Sequence, residues 1–157
     1  MLRAIFLPIV ILITAEIFTQ ILMKIPEPTI LESVPLWAWG LFLLPYLFAY
    51  GLAGWNVLQR KLGGLGYAAL TGITLLLIET FIRISADLLL QPFDLDNSFV
   101  GYLRPLVDLT PHLSVKQMAV LGVVAGQFFI SPLYICMSIL GGVAVKIMWR
   151  RASLARA

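Results

Sequence analysis

The stretch LIETFIRISADLLL, residues 77–90, places three charged side chains within a mostly apolar run. Glu79, Arg83 and Asp87 follow one another at intervals of four residues, so a helix aligns them on one face. The order of Glu79 before Arg83 favours an ion pair between them. In a lipid bilayer each such charge would cost roughly 2.5–3.5 kcal/mol at the centre. We therefore expect this stripe to face a bundle interior or water, and to form pairs there.

The composition of the whole chain indicates a membrane environment. Of its 157 residues, 61% are hydrophobic and 12% are charged, whereas a soluble domain is about half apolar and about a quarter charged. A soluble fold of this length cannot bury so much apolar surface, so we expect lipid to cover most of it. The single cysteine excludes an internal disulfide and a thiolate metal cluster. No basic run with interleaved aromatic residues occurs, which argues against nucleic acid as a partner.

Four apolar segments reach the length of about 20 residues that a transmembrane helix needs. They predict an all-α fold, an integral membrane bundle of four transmembrane helices that forms one polytopic domain over residues 1–157. The predicted spans are residues 4–23, 36–58, 67–90 and 117–146. The first is expected to be an uncleaved span, because its apolar run is too long for a signal peptide. The loop 91–116 is expected to form a short interfacial helix or to fold over the mouth of the bundle.

Positive charges alternate between the two sides of this predicted bundle. Arg3, Arg60, Lys61 and the basic residues after the fourth span fall on one side. By the positive-inside rule we expect both termini in the cytoplasm and the chain in a cell inner (cytoplasmic) membrane. The outer mouth of the bundle is predicted to be lined by Asp87, Asp94, Asp96 and His112.

Each span supplies a polar side chain at a similar depth. With a rise of 1.5 Å per residue, Glu16 and Glu79 lie roughly 18 Å from the cytoplasmic side, and polar residues of the antiparallel spans reach nearly the same layer. The predicted intramembrane polar site comprises Glu16, Gln20, Tyr46, Glu79, Arg83 and Gln127. Arg83 can neutralise one carboxylate only. Glu16 is therefore expected either to be protonated or to share Arg83 with Glu79.

The sequence offers no recognisable catalytic or metal-binding set. His112 is the only histidine, so a histidine-rich metal or haem site cannot form. Glu16 and Glu79 could in principle act as acid and base or hold a metal, but Arg83 beside them argues against the metal. We therefore predict no catalytic residue, no metal and no cofactor, and an enzymatic role is not the favoured hypothesis.

Small residues four positions apart mark two faces on which helices can approach closely. These are Ala49 with Ala53 in the second span and Gly122 with Gly126 in the fourth. Either pair can serve a contact within the chain or a contact with another protein.

Three functional hypotheses follow from these patterns. The leading one is a non-catalytic subunit or accessory component of a larger membrane complex, or a homo-oligomer. Its partners would be lipids and other membrane subunits or a second copy, and the Glu79, Arg83 and Asp87 stripe could mediate the contact. The alternative is a small oligomeric transporter or channel that handles protons or an ionic substrate with Glu16, Glu79 and Arg83. The third is a membrane enzyme that acts on a lipid-like substrate.

Overall fold

The computed structural model describes residues 2–23, 36–90, 112 and 115–154. Four helices make up almost all of this part: α1 Leu2–Met23, α2 Leu36–Gln59, α3 Leu65–Leu90 and α4 Val115–Leu154. No strand occurs within these ranges, so the all-α prediction is confirmed for them. The predicted bounds lie within two residues of the observed ones, except that α4 continues beyond residue 146 to Leu154. The predicted interfacial helix in the loop 91–116 lies outside the described residues.

Three of the helices are long and apolar enough to cross a membrane. Their candidate spans are Arg3–Ile21, Leu65–Ala86 and Val120–Leu154. These helices identify a multi-pass membrane protein. The crossing of the membrane by α2, the cytoplasmic placement of both termini and the kind of membrane stay predictions.

The outer surface of the bundle is apolar, as lipid contact requires. The most exposed large side chains include Phe81, Phe128 and Phe129, whose exposed fractions are 72%, 77% and 83%. Several polar and charged side chains are instead buried. In lipid the hydrophobic effect no longer drives helices together, so packing and interhelical hydrogen bonds must hold the bundle.

A short turn joins α2 to α3. The Lys61 N–H donates to the Leu58 carbonyl at 2.9 Å, and the Leu62 N–H donates to the Val57 carbonyl at 3.0 Å. These are the two hydrogen bonds of a Schellman motif, which ends a helix with one residue in the left-handed region. Lys61 is that residue, with a φ of 55°. The turn therefore makes α2 and α3 antiparallel neighbours.

Apolar contacts close the bundle at the end where this turn lies, which we call the turn end. Its buried residues are Ala4, Val57, Leu58, Ala68 and Val145. All four helices contribute to this cluster, so Val145 lies close to the level at which α1 and α3 begin and α2 ends. Residues 146–154 of α4 project about 13 Å beyond that level at a rise of 1.5 Å per residue.

Glycines allow α2 and α4 to approach closely. A Cβ at Gly54 would overlap the backbone of Ser138, and a Cβ at Gly141 would overlap the backbone of Gly51. We call these four residues the glycine seam. The Ser138 hydroxyl donates to the Ala68 carbonyl at 2.7 Å, which ties α4 to α3 at the same level. Any larger residue at Gly54 or Gly141 would force the two helices apart.

Of the two predicted packing faces, one is buried inside the bundle and the other is exposed. Ala49 and Ala53 are fully buried within the core of the bundle. Gly122 and Gly126 are exposed, and no atom of another helix lies within 4 Å of a Cβ placed on Gly126. Close contact of α4 within the chain is made instead by Gly141 and its neighbours, because the face with Gly122 and Gly126 turns away from the other helices.

Candidate intramembrane site

Each helix brings two polar side chains to a layer near the middle of the bundle. The pairs are spaced by four residues in α1, α2 and α3 and by seven in α4, so each pair lies on one helical face. The eight residues of this polar layer are Glu16, Gln20, Tyr46, Tyr50, Glu79, Arg83, Gln127 and Tyr134. The interior of the bundle is therefore polar at one level and apolar at the turn end.

Glu79 is the best-connected member of the layer. Only 1% of it is exposed. Its Oε2 accepts a hydrogen bond from the Tyr50 hydroxyl at 2.7 Å. Its Oε1 accepts from the Gln127 side-chain amide at 2.9 Å and lies 3.0 Å from Nη2 of Arg83. Donors from α2, α3 and α4 thus meet at one carboxylate, which supplies the partners that a buried charge requires.

Glu16 is buried too, but its partners are weaker. Its Oε1 accepts a hydrogen bond from the Gln20 side chain at 3.1 Å, and its Oε2 accepts from the Tyr46 hydroxyl at 3.0 Å. Nε of Arg83 lies 3.5 Å from Oε2, an ion pair without a hydrogen bond of good geometry. Arg83 therefore contacts both carboxylates, which is the arrangement expected when they share one cation.

Three tyrosine rings pack α2 against α4 in the polar layer. The Tyr134 ring stacks on Tyr50 with centroids 4.4 Å apart and on Tyr46 with centroids 6.4 Å apart. Cζ of Arg83 lies 4.8 Å above the centroid of the Tyr46 ring, a cation–π contact. Arg83 is therefore fixed by two carboxylates and one aromatic face, while 31% of its side chain is exposed.

Three buried polar atoms of the layer have no hydrogen-bond partner within the described part of the chain. They are Nε of Arg83, Oε1 of Gln127 and the hydroxyl of Tyr134. Most buried polar atoms in proteins are paired, and leaving one unpaired costs about 1–3 kcal/mol. Oε1 of Gln127 and the hydroxyl of Tyr134 thus remain available for a further polar group, whereas Nε of Arg83 faces Glu16 in the ion pair.

The structure brings together all six residues of the predicted intramembrane site. Tyr50 and Tyr134 belong to the same layer and were not predicted as members of it. A signal for both was present: Tyr50 lies one turn after Tyr46, and Tyr134 lies two turns after Gln127. This signal is weak, because the ring of a tyrosine is largely apolar and a tyrosine in a span also suits the core or the membrane interface.

The predicted outer mouth is described only in small part. His112 lies in a turn and is exposed. Asp87 belongs to α3 by its backbone, but its side chain lies outside the described part of the structure, as do Asp94 and Asp96. Within the described residues, no three histidine, cysteine, aspartate or glutamate side chains come together as metal ligands.

Comparison with protein-family models finds no match. Comparisons with curated proteins and with solved structures find none either. The function is therefore inferred from the geometry of the polar layer and from the surface of the bundle.

Proposed function

We propose that the chain is a small membrane transport protein, a transporter or channel, that handles a proton or another small cation at the polar layer. The proposal rests on the polar layer. Within the described part of the chain the interior carboxylates outnumber the one guanidinium between them, and Gln127 and Tyr134 each keep a buried polar atom without a hydrogen-bond partner. Polar side chains that served only to join helices would be expected to satisfy one another.

The charge balance of the layer favours a cationic ligand. With both carboxylates ionised, Glu16, Glu79 and Arg83 carry one excess negative charge. Ionisable residues inside a membrane bundle commonly mark ion or proton pathways. A proton needs one carboxylate oxygen, whereas a metal ion needs several oxygen ligands and would lie close to the positive charge of Arg83. A proton is therefore the cation that fits this layer best.

Two residues of the charged stripe take their partners within the chain. Glu79 is 1% exposed and takes its partners from α2, α3 and α4 of the same chain. Arg83 points at Glu16 and Glu79 and lies over Tyr46. These contacts favour a role within the chain for Glu79 and Arg83 over a contact with a helix of another protein.

A subunit role through another surface is a second candidate. The observation that favours it is the exposed face of α4 with Gly122 and Gly126, two small residues one turn apart. Such a spacing permits a close helix contact in a membrane. Native mass spectrometry of the protein extracted from its own membrane would test this role. Loss of a stoichiometric partner in a G122L/G126L variant would support it, and a bare monomer from the native membrane would exclude it.

The transport proposal is tested in liposomes. The purified chain is reconstituted with a dye inside the vesicles that is sensitive to pH, to Na⁺ or to K⁺, and a gradient of the matching cation is imposed. We expect a flux above that of protein-free vesicles and a marked loss of it in Glu16→Gln. Phe129→Leu is the matched control, because Phe129 is 83% exposed on the outer surface. Size-exclusion chromatography and circular dichroism establish that each variant is folded.

Two outcomes would overturn the proposal. The first is a folded wild-type protein that passes none of the three cations. The second is a flux that Glu16→Gln, Glu79→Gln and Phe129→Leu all leave unchanged, since the polar layer would then take no part in it.

A further inference from the structure

Cationic side chains converge on the turn end of the bundle. The structure describes seven lysine and arginine side chains, and all but Arg83 are exposed at this end. They are Arg3, Arg60, Lys61, Lys146, Arg150 and Arg151. The two carboxylates with described side chains, Glu16 and Glu79, both lie in the polar layer. The cationic end, as we call these six residues, thus has no acidic neighbour within the described part of the chain.

The fold explains why these charges meet. Arg3 directly precedes Ala4, and the Arg60–Lys61 pair follows Leu58 at the start of the turn. Ala4 and Leu58 pack in one cluster with Val145, and Lys146 is the next residue of α4. Arg150 and Arg151 lie about one turn further along the projecting part of α4. The cationic end is therefore built by three separate segments of the chain.

Apolar side chains lie beside these charges. Leu62, Met148 and Trp149 are 42%, 55% and 44% exposed, and Leu154 at the end of α4 is 70% exposed. A mixture of exposed cations with exposed aliphatic and indole groups suits the boundary between headgroups and acyl chains. An acidic protein in water would match the charges but would leave these apolar side chains unmatched.

We propose that the cationic end binds the phosphate groups of anionic phospholipids in the membrane that surrounds the chain. Like charges closer than the Debye length of about 8 Å repel one another, and phosphate relieves that repulsion. Clusters of four to eight lysine and arginine residues next to a transmembrane helix are typical of anionic-lipid binding. The acyl chains of the same lipids cover the apolar surface of α4 below. This surface is separate from the polar layer, so the inference does not rest on the transport proposal.

The experiment compares lipids on the full-length protein in detergent. The protein is titrated with phosphatidylglycerol, with phosphatidylcholine, with inorganic phosphate and with polyglutamate as an acidic polypeptide, and native mass spectrometry counts the bound molecules. The test variant is K146Q/R150Q/R151Q. The matched variant is K146R/R150K/R151K, which keeps every charge at the same positions.

We expect phosphatidylglycerol to remain bound to the wild type and to the charge-keeping variant, and phosphatidylcholine to dissociate. The glutamine variant should bind phosphatidylglycerol about tenfold or more weakly, because it loses three of the six cations. Raising the salt concentration should weaken the wild-type complex. Equal binding of the two lipids, or unchanged binding in the glutamine variant, would overturn the proposal. So would inorganic phosphate or an acidic polypeptide that displaces phosphatidylglycerol at equal concentration.

Discussion

The contact between α2 and α4 changes character within two helical turns. In the polar layer the helices are separated by stacked tyrosine rings, and Tyr50 and Gln127 both donate to the carboxylate of Glu79. In the glycine seam the backbones meet with no side chain between them at Gly54 and Gly141. The first region is held by charge and hydrogen bonds, and the second by shape.

The difference shows two ways to stabilise a bundle in lipid. Burying apolar surface gives little there, because lipid tails are as apolar as leucine. The glycine seam gains dispersion contacts by removing side chains, whereas the polar layer avoids leaving charges without partners in an apolar medium. Substitutions that change charge at constant size should therefore affect the first region, and substitutions that add a methyl group should affect the second.

The largest effect is expected from Arg83→Gln. It leaves Glu16 and Glu79 buried without their shared cation, and breaking a buried ion pair in this way costs about 3–5 kcal/mol. The free energy of unfolding of the protein in mixed detergent micelles measures this loss. Arg60→Gln, at an exposed arginine of the turn end, is the control and should change little. If the Arg83 variant does not fold, Arg83→Lys should fold and be less stable than wild type. A stable Arg83→Gln protein would contradict the ionic account of the polar layer.

The two carboxylates should differ in their sensitivity to neutralisation. Glu79→Gln removes the charge from a group with three donors, and a hydrogen bond to a charged group contributes about 1.5–3 kcal/mol. Glu16→Gln should cost less, because Arg83 lies 3.5 Å from Glu16 without forming a hydrogen bond. The same unfolding measurement compares the two variants. Equal losses would mean that Arg83 is held as firmly by Glu16 as by Glu79.

The next largest effect is expected from adding a side chain in the glycine seam. Gly54→Ala places a methyl group on the backbone of Ser138, and overpacking of this kind costs typically 1–3 kcal/mol. Gly126→Ala is the matched control, since a Cβ there meets open space and alanine favours a helix. The midpoint temperature of thermal unfolding should fall for Gly54→Ala and should stay unchanged or rise for Gly126→Ala. If both variants behave alike, the close approach of α2 and α4 does not stabilise the bundle.

The sequence predicted the composition of the polar layer better than that of the glycine seam. Depth follows from counting residues at 1.5 Å each, so Glu16 and Glu79 could be placed at one level, with Gln20 and Arg83 about one turn further out, without knowledge of the packing. A charge also predicts which face of a helix is turned inward, because a carboxylate within a transmembrane span must face the bundle interior or water.

Helix contacts made by small residues carry no such directional signal. Gly122 and Gly126 have the spacing of a packing motif but face outward, whereas Gly141 and Gly54 make the contact. The inward residues of α4 recur at alternating intervals of three and four: Tyr134, Ser138, Gly141 and Val145. That pattern mixes a phenol, a hydroxyl, a glycine and a valine, so neither hydropathy nor residue size alone reveals it.

The smallest effect is expected at Ser138, the residue of the glycine seam that carries a hydroxyl. Ser138→Ala keeps the small size that the glycine seam requires and removes the hydroxyl that donates to the Ala68 carbonyl. Interhelical hydrogen bonds in membrane bundles contribute about 0.6 kcal/mol on average, and Ala68 keeps its own helical hydrogen bond. Ser131→Ala is the matched control, because the Ser131 hydroxyl donates to the Phe128 carbonyl of the same helix. The difference between their unfolding free energies therefore isolates the interhelical bond. A loss at Ser138 as large as that at Glu79 would show that the seam, too, is held by polar contacts, and the division between charge and shape would fail.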